Sequence, residues 1–306
     1  MPASLMYKFI RTKKIKCNGK RCEPSQILAA GDIITMYISD EFFGGAGSGL
    51  PLSKIKPKIS VIYEDDNIII CDKAAGVLVH SGDIDGEESD DKNTLIGHIQ
   101  AYLYQKGEYD PSRENTFAPA LCNRIDRNTR GLVIAAKNAE ALRDMNAIIK
   151  SNGIKKLYLC AVHGIPKPYS GTLHGYLRHD EKHNNVKIFD KPVAGAKEII
   201  TKYRVKKTSG NGDNSLSLLE VELVTGRTHQ IRAHLQSVGF PLLGEGKYGK
   251  NTDDKKRGYT SQALCAYSVT FMLADCGYKG ILSYLDGKHY EIDKSTVGFM
   301  REFVAR

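Results

Sequence analysis

No stretch of 18 or more apolar residues occurs in the 306-residue sequence, so no membrane-spanning helix is expected. The opening stretch MPASLMYKFIRTKKIKCNGK lacks an uninterrupted apolar segment followed by a small-residue cleavage site and does not read as a secretory signal. The seven cysteines (17, 22, 71, 122, 160, 265 and 276) form no CxxC pair and are odd in number. Cys17 and Cys22 alone do not make a zinc set, so reduced thiols of a cytosolic protein are expected. HExxH and GxxxxGK[ST] are both absent, which removes the signatures of a zincin protease and a P-loop nucleotide binder. There is no internal repeat. Acid is missing from one stretch altogether: between Lys8 and Arg21 stand seven Lys or Arg residues (8, 11, 13, 14, 16, 20, 21) and no Asp or Glu.

Basic residues exceed acidic ones by 44 − 35 = 9, and the pI is about 9.0. That balance favours an acidic partner, nucleic acid first, against the alternative of a merely basic soluble protein. With 41% hydrophobic and 26% charged residues the composition is that of a soluble globular protein. The length suits a large domain with a small one beside it.

Within the basic stretch, SLMYKFIRT reads as a helix with Leu5, Phe9 and Ile10 at helical spacing. KIKCNGKRC reads as a hairpin, because a type I′ turn needs positive φ at both central positions and Asn-Gly supplies it. GDIITMYI adds a strand. The glycine-rich FFGGAGSGLPLSKIKPK reads as a flexible linker at 43–56, between a small module at 1–42 and a body at 57–306. In the body, VIYEDDNIIICDK gives two strands around a turn, and SGDIDGEESDDKN an acidic loop. TLIGHIQAYLYQ is a helix opened by Thr94, with Leu95, Ile99 and Tyr102 on one face. GLVIAAKN is a short apolar strand. Asn138 caps a helix with a Leu142, Met145, Ile149 stripe. KKLYLCAVHG and SLLEVELVTG are strands, the second alternating Leu219, Val221 and Leu223 with Glu220 and Glu222. RTHQIRAHLQSVG is a helix with Thr228 as its N-cap, Ile231, Leu235 and Val238 inward, and Gly239 as its stop. Strands and helices mix without a βαβ rhythm, so the expected fold is α+β on a mixed, mostly antiparallel sheet.

Two segments carry candidate chemistry. In NRIDRNTRG, Asp126 lies among Arg124, Arg127 and Arg130, either as a solvated turn or as an acid held ionised beside a polyanion. In RTHQIRAHLQ, the polar residues His229, Arg232 and Gln236 share a face at i, i+3 and i+7. An Arg early in a helix gains nothing from the macrodipole, so a phosphate or a carboxylate should justify Arg232. His229 and His234 are five apart and face differently, which argues against a zinc pair. Tyr158 is either a core tyrosine or an aromatic platform for a base.

NRIDRNTRGLVIAAKN resembles the signature of RluA-type RNA pseudouridine synthases, HRLDxxTSGLLLxAK. VIYEDDNIIICDKAAGVLVH is similar to that family's opening strand pair, KKLYLCAVHG to its K-x-Y-x-A-x-V-x-G strand, and TGRTHQIRAHLQSVGFPLLGEGKYG to its TGRTHQIRxHL…GxPxxGDxxYG block. QALCAYSVTF extends the likeness to residue 271. Residues 4–39 resemble an S4-type RNA-binding module that lacks its first helix. The chain departs from the family where Asn123 replaces His, Arg130 replaces Ser, and Ala74-Ala75 replaces the proline context.

The resemblance implies a cytosolic, monomeric enzyme with no membrane partner that isomerises uridine to pseudouridine in RNA. Large-subunit ribosomal RNA is the first substrate and transfer RNA the second. The N1–C1′ bond breaks and the uracil rejoins through C5; nothing is exchanged with a carrier, so no cofactor and no metal are expected. Asp126 is then the nucleophile, Arg232 the cation that keeps it charged, and Tyr158 the ring that stacks on a flipped base. Arg124 matches a position that fills the vacated space or holds the backbone. RNA contacts are expected from Arg124, Arg127, Arg227, His229 and Gln230, and in the small module from Lys8, Arg11, Lys13, Lys14 and Lys16. A non-catalytic assembly factor on the same fold and a base-removing hydrolase remain the alternatives.

Overall fold

The chain divides into two units, Met1–Pro51 and Leu52–Arg306. A computed structural model describes residues 3–37, 52–80, 93–113, 117–180, 185–249 and 252–304. The side chains of residues 3–5, Lys8 and Asp213 lie outside that description, as do the glycine-rich stretch at 43–51 and most of the acidic loop.

In the first unit, helix α1 (Ala3–Arg11) is followed by strands β1 (Ile15–Cys17), β2 (Lys20–Arg21) and β3 (Ile34–Met36), ordered β2-β1-β3. Asn18 and Gly19 take φ of 50° and 75°, the left-handed conformations the Asn-Gly turn requires. Phe9, Ile10, Ile15, Cys17 and Cys22 form a small core. Arg11, Lys13, Lys14, Lys20 and Arg21 are exposed around it, so the acid-free stretch yields a cationic surface. Lys14 and Lys16 lie against aromatic faces, 5.6 Å from the centre of Phe9 and 5.1 Å from that of Tyr37.

The second unit starts earlier than the linker reading allows. Leu52–Lys54 make a 3-10 turn, Ile55 is buried, and Gln105 Nε2 donates to the Ile55 carbonyl at 2.8 Å. Residues 52–56 therefore belong to the folded body, because Ile55 removes apolar area from water there.

Strands β4 (Ser60–Glu64) and β5 (Ile68–Lys73) form the first hairpin. Helix α2 (Leu95–Gln105) follows, with Thr94 Oγ1 accepting from Gly97 N at 3.2 Å. Next come β6 (Ala120–Leu121), β7 (Arg130–Ala136) and helix α3 (Ala139–Lys150), capped by the Asn138 side-chain oxygen at 2.8 Å from Ala141 N. Strands β8 (Ile154–His163), β9 (Ser170–Asp180), β10 (Asn185–Phe189), β11 (Lys197–Ser209) and β12 (Leu216–Leu223) lead to helix α4 (Gln230–Ser237). The short helix α5 (Thr252–Lys256), β13 (Leu264–Phe271) and β14 (His289–Glu291) complete the elements that concern the site.

Among the described residues these strands form one sheet in the order β10-β9-β11-β12-β8-β13-β7-β5-β4, with β14 beside β13 and β6 beside β7. The β13–β7 pair is parallel and the other pairs are antiparallel, which is the α+β architecture expected. Alternate residues of the central strands enter two cores. Ile68, Ile70, Leu132 and Ile134 meet α3 on one face; Ile69, Cys71, Val133, Tyr158 and Cys160 meet α2 and α4 on the other. Burial on both sides explains why GLVIAA is apolar throughout instead of alternating. Gly131 is required at the parallel junction: its φ is 145°, and a Cβ there would stand 2.5 Å from the Ala266 carbonyl oxygen.

Two apolar stripes are displaced from their expected positions. In α3 the buried residues are Ala141, Met145 and Ile148, with Leu142 and Ile149 partly covered at the edges. In α4, Ile231 and Leu235 are buried but Val238 is 43% exposed, because the helix has already ended and Val238 is its C-cap.

Candidate active site

Asp126 lies in the irregular segment entering β7, and that segment is fixed from below. Lys73, 1% exposed at the end of β5, donates from Nζ to the carbonyls of Ala74 (3.0 Å), Val77 (2.8 Å) and Arg127 (2.8 Å). Burial lowers its pKa to about 8, opposed by the charges of Asp126 and Asp72. Gly76 N also donates to the Arg127 carbonyl at 2.9 Å, and Arg127 Nε to the Gly76 carbonyl at 3.2 Å. Thr129 N closes a turn on the Asp126 carbonyl at 3.0 Å. Asn123, which stands where the family signature has His, clamps the backbone by accepting from Ile134 N at 2.8 Å.

Helix α4 brings the counter-charge. Arg232 is buried, and its guanidinium is divided between two carboxylates. Nε and Nη2 fork onto Glu245 at 2.7 and 2.9 Å, while Nη1 donates to Asp126 Oδ2 at 2.8 Å. Glu245 is 1% exposed and also accepts from the backbone N–H groups of Lys247 (2.8 Å) and Tyr248 (3.3 Å). Burial pushes its carboxyl pKa up, but the Arg232 hydrogen bonds and charge outweigh this and hold it low. Burial likewise opposes the charge on Arg232, and the Glu245 and Asp126 contacts overcome it, raising its pKa. Asp126 Oδ1 makes no hydrogen bond among the described residues, and Asp126 lines the cavity with Arg232 holding its other oxygen.

Tyr158 and His229 complete the lining. Tyr158, 7% exposed on β8, has its phenol pKa raised by burial first and by the Asp126 charge second, so it is a neutral hydroxyl near neutral pH. His229 has a left-handed φ of 55° immediately before α4. Its Nδ1 is 2.7 Å from the Tyr248 hydroxyl and its Nε2 3.9 Å from Asp126 Oδ2. Burial drives its pKa down to about 4, with Arg232 and Lys247 adding to the effect and Asp126 opposing it, so this imidazole is neutral. The cavity has a volume of about 1310 Å³, lined by Asp126, Tyr158, Arg227, His229 and Arg232 among others. That exceeds what one small molecule ordinarily occupies, and it has room for a nucleotide with its neighbours.

Of the residues singled out in the sequence, Asp126, Tyr158 and Arg232 converge here. Arg124, Arg127 and Arg227 are exposed at the cavity. Gln230 is a correction: at 2% exposure its amide is committed internally, accepting from Thr225 Oγ1 and Arg227 N and donating to the Ile200 carbonyl and Thr201 Oγ1. It holds α4 against β11; the N-cap of α4 is His229 rather than the expected Thr228, and it makes no side-chain cap hydrogen bond. Arg130 is another correction. It turns away from Asp126 and forks onto Asp72 (3.2 and 2.7 Å), also donating to the Thr296 carbonyl and hydroxyl. His234 faces Thr201 Oγ1 at 3.0 Å, apart from His229, as their spacing requires. Sequence reasoning missed Lys73, Glu245 and Tyr248. Glu245 had a visible signal: it stands where the quoted family block carries Asp, thirteen residues beyond Arg232.

Residues 67–237 match the family model of RNA pseudouridylate synthases, and the chain belongs to that family. An uncharacterised RNA pseudouridine synthase of Mycoplasma pneumoniae is 32% identical over 274 residues, 89% of this chain and 81% of that protein. Ribosomal large subunit pseudouridine synthase D of Borreliella burgdorferi is 33% identical, covering 80% of this chain and 68% of its own. Synthase C of Haemophilus influenzae is 27% identical, covering 89% and 79%. These relatives put the chain in the RluA-type branch. The human RNA pseudouridylate synthase domain containing 4 shares the fold, with a TM-score of 0.58 at 18% identity over 79% of this chain and 92% of that one.

Proposed function

We propose that this RNA pseudouridine synthase acts in the cytosol, as a monomer, on uridines of large-subunit ribosomal RNA, with Asp126 as its nucleophile and the target base flipped into the cavity. The observation that carries the reading is the pairing of Asp126 Oδ2 with Arg232 Nη1 at 2.8 Å inside a cavity that also holds Tyr158. Uridine and pseudouridine are isomers: the N1–C1′ bond breaks, a C5–C1′ bond forms, C5 loses its hydrogen and N1 gains one. A carboxylate oriented by a fixed cation can attack the sugar or receive the proton. Asp126 Oδ1, making no hydrogen bond among the described residues, is the atom free to do so. A neutral Tyr158 ring beside it suits stacking on uracil, and a base in structured RNA reaches such a pocket by leaving its stack.

The substrate class rests on relatives named as large-subunit synthases C and D. We assign residues 4–39 to an S4-type module whose exposed Arg11, Lys13 and Lys14 meet RNA phosphates; the cationic surface around its small core supports this. Pseudouridine mapping on ribosomal and transfer RNA incubated with the purified protein tests the reading. New sites in large-subunit RNA are expected. Sites confined to transfer RNA would overturn the substrate class.

A further inference from the structure

Lys156 is a cation in the cavity that the pairing scheme leaves over. It lies on β8 two residues before Tyr158, so the two side chains leave the strand on the same face and both line the cavity. Two nearby cations are matched: Lys155, on the opposite face, is 3.6 Å from Glu222, and Arg232 has Glu245 and Asp126, while Arg127 and Arg227 of the same cavity are exposed to water. Among the described residues Lys156 makes no hydrogen bond and no ion pair, although its side chain is half-buried. Burial alone perturbs it, lowering its pKa with no carboxylate to oppose the shift. An ammonium withdrawn from water without a partner is costly, and retaining one here calls for an anion that arrives with the ligand.

Uracil and ribose are neutral, so each nucleotide brings its charge only through its phosphate. We propose that Lys156 receives a backbone phosphate of the target strand next to the flipped nucleotide, making it a positioning residue for the RNA. The inference rests on the cavity being the target-nucleotide site. Through this contact the ammonium regains the partner it lacks in the free protein, and the strand is fixed while the base lies against Tyr158.

The test compares the full-length protein with Lys156→Met and Lys156→Arg on a large-subunit ribosomal RNA transcript. Binding is measured across a salt series, together with the single-turnover rate at saturating RNA. For Lys156→Met the plot of log K against log salt should become shallower by about 0.7, the value for one phosphate contact on a single strand. Affinity should fall roughly ten-fold at moderate salt, equivalent to about 1.4 kcal/mol. The saturated rate should stay close to that of the unmodified protein, and Lys156→Arg should restore the slope. Thermal unfolding of the free protein should occur at the same temperature or higher in Lys156→Met, since an unpaired charge is removed; this separates a folding defect from weakened phosphate binding. An unchanged slope with a lowered saturated rate would mean that Lys156 touches the base, and would overturn the proposal. So would a variant identical to the unmodified protein in both measurements. If the unmodified protein converts no uridine in the transcript, the substrate reading fails instead, while the salt slope still reports on Lys156.

Discussion

Asp126 and Arg232 stand 106 positions apart in the chain and meet at 2.8 Å, one from the segment entering β7 and the other from the first turn of α4. Arg232 does not belong to Asp126 alone. Two of its three nitrogens are taken by Glu245, so the guanidinium reaches the site already oriented. A planar fork can serve two carboxylates at once while staying charged, which an ammonium cannot do with the same geometry.

Glu245 is therefore expected to matter for stability and catalysis together. Glu245→Ala leaves the Arg232 charge half-paired in a buried place, and should cost about 3–5 kcal/mol of folding stability. With Arg232 free to shift, turnover should fall by about 10². Denaturant titration and single-turnover kinetics check the two halves. A stable variant with a normal rate would contradict the orienting role.

Arg130 should behave in the opposite way. It joins β7 to Asp72 and Thr296 and makes no hydrogen bond or ion pair with Asp126. Arg130→Ala should lower stability by about 1–3 kcal/mol, the penalty for leaving polar partners unsatisfied. Its saturated rate should stay near that of the unmodified enzyme. A loss of rate without a loss of stability would return Arg130 to the site.

The pH dependence of stability carries a signature of His229. Its pKa falls from the ordinary 6.5 to about 4 in the folded protein, chiefly by burial. Between those values the unfolded chain binds a proton that the folded one refuses, so stability declines as pH drops through this window. His98 and His234 are depressed in the same direction. The difference between the unmodified protein and His229→Gln isolates one contribution: the variant should lose less stability from pH 6.5 downward. Parallel curves would mean that His229 is not held neutral.

In the first unit, replacing Arg11, Lys13 and Lys14 together by Ala should weaken RNA binding. The salt slope should become shallower by about 0.7 for each phosphate that the variant no longer neutralises. The rate at saturating RNA should not change. An unchanged slope would show that this cationic surface is not part of the RNA footprint.

Local rules carried a good part of the fold. The Asn18-Gly19 turn, the Thr94 and Asn138 caps, and the doubly buried β7 each follow from a residue's own chemistry or a short pattern. The errors arose where distant partners decide. Gln230 looks like a contact residue in RTHQIR, yet its amide is consumed by Thr201, Ile200, Thr225 and Arg227, the first two on a strand about thirty residues away. Arg130 sits beside Asp126 in sequence, but entry into β7 rotates it toward β5, where Asp72 waits. Lys73 could not be identified from sequence because a lysine seldom ends up fully buried, and its three carbonyl partners come from turns whose geometry no pattern specifies.

The central claim is that Asp126 performs the chemistry, and Asp126→Asn tests it most directly. The amide keeps the side chain's size and can still accept from Arg232, so fold and RNA affinity should persist. Single-turnover conversion of an RNA that the unmodified protein modifies should drop by on the order of 10⁴ or more, the scale seen when a nucleophile is removed. Pseudouridine forming at a comparable rate in the Asp126→Asn protein would contradict the account.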